Sequence, residues 1–204
     1  MRTSICFIAF LTLFFASCKI KTHIHFNKDH SGNVTISYDM TELLASAELS
    51  DSSNLQDSMM YELQKFDTLK FLKKYKINKT EKGLDITYSF DNVEDLNASL
   101  NQFMRGDDMM EKATGKFSEK RKKISYTVPS VGSKTEKATD VEGDDFNMDG
   151  LFEWEFKVSF EQKITSCTNK KYIVDKADNS ISIKGSLSKF QDPEEMNFTV
   201  KLKK

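Results

Sequence analysis

Apolar and polar residues alternate along much of the chain. Ile20, Thr22, Ile24 and Phe26 alternate with Lys21, His23 and His25, and the alternation resumes at Val34, Ile36 and Tyr38 after Lys28-Asp29-His30-Ser31-Gly32. Two period-two runs joined by a short polar stretch with glycine predict a β-hairpin. Tyr75 and Ile77, the turn Glu81-Lys82-Gly83, and then Leu84, Ile86, Tyr88 and Phe90 predict a second. The most regular strand carries Phe152, Trp154, Phe156, Val158 and Phe160 on one face and Glu153, Glu155, Lys157 and Ser159 on the other. Shorter strands are predicted at Ile124, Tyr126 and Val128, closed by Pro129; at Tyr172 to Val174; at Ile181 and Ile183 after the turn at Asp178-Asn179; and at Met196, Phe198, Val200 and Leu202.

Helical spacing replaces alternation in three places. Met40, Leu43, Leu44 and Ala47 follow Asp39, a helix cap with Glu42 three residues on; Leu55, Met59, Met60, Leu63 and Phe66 form a second apolar stripe. Val93, Leu96, Leu100, Phe103 and Met104 follow Asp91 or Asn92 as cap, and Gly106 stops that helix. Residues 107–123 are charged and weakly patterned, and residues 130–146 read as a mobile polar loop between strands expected to share one sheet. The expected fold is α+β: an antiparallel sheet of about six to eight strands, with two or three helices packed on one face. Residues 18–204 form a single domain in this reading.

The first residues do not fit that domain. Met1-Arg2 is a short positive segment, and residues 5–15 are an apolar run of eleven that reaches only about 16 Å as a helix. That is about half the hydrocarbon thickness of a bilayer, so residues 1–17 are expected to be an export signal and not a spanning helix. Phe15-Ala16-Ser17-Cys18 resembles the lipobox of bacterial lipoproteins, with Phe15 where leucine is usual. The resemblance implies that Cys18 is acylated, with palmitate-like chains, and is the lipidation site. Cys6 leaves with the signal, so Cys167 is the one thiol left, with no disulfide partner. Lys19-Ile20-Lys21-Thr22 lacks the acidic cluster of surface-exported Bacteroidetes-type lipoproteins. By that resemblance the protein belongs to the cell envelope, lipid-anchored in the outer membrane and facing the periplasm.

Charge narrows the partners. With 30 Lys and Arg against 31 Asp and Glu, the chain lacks the basic excess of a nucleic-acid binder. Its 38% hydrophobic and 11% aromatic residues suffice for a core, and its 2 prolines and 8 glycines exclude collagen-like or proline-rich architecture.

Three groupings could carry chemistry. His23 and His25 share a strand face near His30 and Asp29, two ligands that would still fall short of a closed zinc site. Asp145-Phe146-Asn147-Met148-Asp149-Gly150 fits the first half of a calcium loop, with Asp145, Asn147 and Asp149 as oxygen ligands, but Phe156 stands where the bidentate glutamate belongs. A polar turn entering the next strand explains the same residues. Lys120-Arg121-Lys122-Lys123 is a charge cluster of the kind that touches anionic headgroups, or is merely solvated. No Gly-x-Ser-x-Gly elbow and no glycine-rich phosphate loop occurs.

The hairpin Ile24-His25-Phe26-Asn27-Lys28-Asp29-His30-Ser31-Gly32, closing on Asp39-Met40-Thr41-Glu42, resembles small Bacteroidetes-type lipoproteins related to the LppM-like domain family. The later part of the resemblance runs through Ser159-Phe160-Glu161-Gln162-Lys163-Ile164-Thr165-Ser166, the Asp178-Asn179 turn and the strands that follow, with Glu161 where a proline is usual. It implies an exported, membrane-tethered α+β domain and carries over no catalytic residue. The expected function is therefore a non-enzymatic envelope module, without cofactor, that binds a partner protein or an amphiphilic lipid ligand besides the membrane. The competing readings are an envelope hydrolase and a calcium-binding envelope protein.

Overall fold

A computed structural model describes residues 18–39, 41, 57, 61, 72–104, 115–128, 152–186 and 193–203. The expected signal, the helices expected near 40–47 and 55–66, and the loop at 130–146 lie outside the described residues, apart from Thr41, Asp57 and Tyr61.

The first hairpin forms as expected, from β1 (Cys18–Phe26) and β2 (Gly32–Asp39). The second is β3 (Lys73–Thr80) and β4 (Gly83–Phe90), followed by α1 (Val93–Met104). Then come β5 (Lys116–Lys120), β6 (Lys123–Thr127), β7 (Phe152–Phe160), β8 (Ile164–Cys167), β9 (Ile173–Asp175), β10 (Ser180–Ser186), the single turn α2 (Pro193–Met196) and β11 (Phe198–Leu202).

The strands form two sheets, one of seven strands in the order β3-β4-β2-β1-β7-β10-β9 and one of four in the order β5-β6-β11-β8. The expectation of one antiparallel sheet covered by two or three helices is overturned: the described residues are mostly β, with one helix longer than a turn. Among the described residues the apolar face of the large sheet is covered by the small sheet, whose Phe117, Ile124, Phe198 and Val200 are buried in the same core, with Val93 and Leu96 of α1. Alternation shows that a strand has one apolar face but not whether a helix or a strand covers it. Direction is equally silent, and β1 and β7 lie side by side in parallel, so the large sheet is mixed. Nor do the strands flanking residues 130–146 share a sheet, since β6 belongs to the small one and β7 to the large one.

Register places matching side chains in rungs. Tyr88, Val34, Ile24, Val158 and Ile181 form one apolar rung across β4, β2, β1, β7 and β10; Ile86, Ile36, Thr22, Phe156 and Ile183 form the next. Phe26 sits at the junction of the layers. Its ring stacks on Phe160 at 5.6 Å, meets Phe90 edge-on at 5.3 Å and reaches Phe117 of the small sheet at 5.7 Å. Gly32, opposite Phe26, admits the Phe90 ring over its backbone, because a Cβ there would lie 2.6 Å from that ring and 1.8 Å from the His25 carbonyl oxygen.

Helix α1 is capped by Asn92, whose Oδ1 accepts from the Asp95 amide at 2.8 Å, while Asp95 accepts from the Asp91 amide at 2.9 Å. The first bond satisfies a first-turn amide that helix geometry leaves unpaired, and the second ties the Asp95 carboxylate to the residue before the cap. Val93 and Leu96 face the core. Asn97 is buried and acts as a substitute strand: it donates to the Phe117 carbonyl at 2.8 Å and accepts from the Phe117 amide at 2.7 Å. Asn97→Ala leaves both backbone groups of Phe117 without that partner and is expected to lower stability by about 2–4 kcal/mol. Urea unfolding checks this, and a loss below about 1 kcal/mol would mean that water replaces the amide.

Candidate functional site

The outer face of the large sheet is polar because its positions are the ones that the apolar rungs leave over. Across it run Ser89, Asn33, His25, Ser159 and Ser180 in one row and Thr87, Thr35, His23, Lys157 and Ser182 in the next. Three residues of these rows converge. His23 Nε2 lies 2.8 Å and His25 Nδ1 2.9 Å from Ser159 Oγ, and Ser159 is 7% exposed.

A serine hydroxyl has one proton and two lone pairs. With both rings neutral, Ser159 can donate to only one of them, so the other must present an N–H to Ser159. The two imidazoles are thus held in complementary states. The His23 ring titrates below its ordinary value, first because of burial and then because of the charges of Lys157 and His25; Asp178 and Glu155 pull the other way. Lys157 is itself tied to Asp178 at 2.6 Å, and that bond holds the Asp178 carboxyl below the usual carboxylate range.

The sign of the resulting pH dependence follows from the neutral form being favoured in the fold. As pH falls below the ordinary histidine value near 6.5, the unfolded chain takes up a proton that folded His23 resists, so stability declines until pH passes the lowered value. The urea midpoint is expected to drop between about pH 7.5 and pH 5, with a smaller drop in His23→Gln. Equal drops in both chains would remove His23 as the source.

This cluster resembles a nucleophile with bases, and among the described residues no oxyanion-stabilising pair of amides stands beside it. Ser159 lies within a strand paired on both sides, with β1 and with β10, so the neighbouring amides serve the ladders and no pair of them is turned toward a developing oxyanion. Burial raises the Cys167 thiol above its ordinary value, which disfavours the thiolate that a nucleophile needs.

The sequence places His23, His25, His30 and Asp29 near one another; the structure keeps His23 and His25 together on Ser159 and gives His30 and Asp29 other partners. His30, at a positive φ of 65° in the β1–β2 turn, pairs with Glu119 of the small sheet. Asp29 accepts from the Ser31 amide and hydroxyl at 3.1 and 2.7 Å. No group of three or more His, Cys, Asp or Glu side chains suited to a metal occurs among the described residues. Asp145, Asn147 and Asp149 lie outside them. Cys18 is described in its backbone, at the first rung of β1 opposite Phe152.

At that same end of the sheet is an open hollow of about 350 Å³, walled by Lys21, Tyr38, Asp39, Glu81, Lys82 and Asp85. Its charges are mixed, with Lys21 3.8 Å from Asp39. The Thr41 hydroxyl bonded to Asp39 is the main reason that this carboxyl stays below its ordinary range. Nothing in the sequence pattern marks the hollow, since its walls meet through pairing of β2 with β1 and β4. It is neither a deep cleft of converging acids nor an apolar groove.

No family profile matches the chain, and no curated protein does. Among solved structures, the NMR structure of the folded domain of LppM from Mycobacterium tuberculosis is similar to it over 91% of this chain and 87% of that one, at 10% identity and a TM-score of 0.41. The likeness is one of fold alone. It gives no support to a Bacteroidetes origin, and at this TM-score no site or role passes across it.

Proposed function

We propose that the protein is a membrane-anchored bacterial lipoprotein whose domain is a non-enzymatic module that binds a partner protein in the cell envelope. The observation that carries the reading is Phe15-Ala16-Ser17-Cys18 together with the backbone of Cys18 at the first rung of β1, at one end of the large sheet. No helix among the described residues is long and apolar enough to cross a membrane, so the anchor proposed is the lipid.

Between a protein partner and an amphiphile, the packing favours the protein. Between the sheets the Phe26, Phe117, Phe156 and Phe198 rings pack on one another, so the described residues leave no apolar groove at that place for an acyl chain. The broad polar face around His23 and His25 is the kind of surface that a folded partner covers. Outer-membrane attachment facing the periplasm belongs to the same proposal and rests on Lys19 and Lys21 following the anchor. Fractionation of cells carrying Cys18→Ala, with mass analysis of the mature amino terminus, tests the anchor.

A further inference from the structure

The anchor proposed for this chain has no spacer. Cys18 already pairs with Phe152, Lys19 pairs with Asp39 and with Glu153, and Asp39 pairs with Gly83. The residue that would carry the acyl chains is therefore a rung of the sheet and not the end of a tether. Neighbouring strands lie about 4.8 Å apart, which puts the β3–β4 turn at Glu81-Lys82 about 10 Å to the side of Cys18 and at the same height. The β1–β2 turn at Lys28 is at the other end of β1, about 30 Å away along the strand.

We propose that the Cys18 end of the large sheet is a contact surface for lipid headgroups, with Lys82 and the hollow walled by Lys21 and Asp39 held against the bilayer that receives the acyl chains. This rests on the lipoprotein reading. The occupant is a lipid surface because the anchor holds one there by geometry: acyl chains within the bilayer leave a rigid strand starting at Cys18 no freedom to lift this end clear. Charge is not the source of the contact. Lys21, Lys82, Asp39, Glu81 and Asp85 nearly cancel, and the adjoining Lys19–Glu153 and Lys184–Glu155 pairs close at 3.4 and 3.2 Å. Such a surface suits zwitterionic headgroups and needs no anionic lipid.

The test uses the mature acylated protein in phosphatidylcholine vesicles, with Cys167→Ser to remove the free thiol. A fluorophore is attached at Lys82→Cys in one sample and at Lys28→Cys in another, and headgroup-spin-labelled lipid is the quencher. The expected result is strong quenching at position 82 and none above background at position 28. A second variant with about fifteen Gly and Ser residues inserted between Cys18 and Lys19, a reach of about 20 Å, should lose most of the quenching at position 82 while staying on the vesicles. Equal quenching at both positions, or none at position 82 in vesicle-bound protein, would overturn the contact surface and leave the anchor standing. A mature protein without acyl mass would overturn both.

Discussion

Replacing Phe26 by alanine is expected to lower stability by about 3–5 kcal/mol, the range for deleting a buried phenylalanine side chain. The ring is 1% exposed and touches Phe90, Phe160 and Phe117, so its removal opens a cavity where the two sheets meet. Three aromatic contacts are lost with it, each worth about 0.5–1.5 kcal/mol beyond burial. Neighbours relax poorly, because Phe160 and Phe90 are fixed by strand pairing on either side. Against a total stability of about 5–15 kcal/mol, such a loss leaves a marginal domain. Urea unfolding should show a lower midpoint with an unchanged slope. A loss below about 1 kcal/mol would mean that Phe26 does not join the layers.

The other large effect concerns Cys18. Each buried methylene of an acyl chain contributes about 0.8 kcal/mol, and stable attachment needs more than one chain. Cys18→Ala removes the sulfur that would receive the proposed lipid, so the variant is expected either in the soluble fraction or as an uncleaved precursor. The domain itself should keep its urea midpoint once freed from the membrane, because the Cys18 pairing with Phe152 is made by the backbone. Correctly cleaved Cys18→Ala found at the membrane in the same proportion as the parent would end the lipoprotein reading.

Period-two alternation located both hairpins, the strand at Phe152 to Phe160 and the strand around Ile181 and Ile183, and the cap of α1 was narrowed to Asp91 or Asn92, of which Asn92 is the one. Strand β5 was not: Lys116, Ser118, Glu119 and Lys120 are exposed around one buried residue, Phe117, so it reads as a charged stretch. Its strand character comes from pairing with β6 and from Asn97, both outside the local pattern. The sharing of one strand face by His23 and His25 was legible from their spacing. Ser159 between them was not, because it lies 134 positions from His25 in the chain and reaches it only through the parallel pairing of β1 with β7. Periodicity assigns a face to each residue but says nothing of which strand comes to lie alongside.

That parallel pairing also sets the order in which the chain can fold. Strand β1 is an early segment and stands at the centre of the large sheet, yet its neighbour β7 leaves the ribosome more than a hundred residues later. Until then β1 can pair only with β2, and the sheet can grow only on the far side of β2, through β4 and β3. Closing so long a loop before the contacts repay it places folding on the slow side, in milliseconds to seconds. During that interval the β7-facing edge of β1 stands unpaired and Ile24 and Phe26 lack the Val158 and Phe160 neighbours of the finished sheet, so the half-made chain offers an open strand edge that can pair with another copy before its own second half arrives.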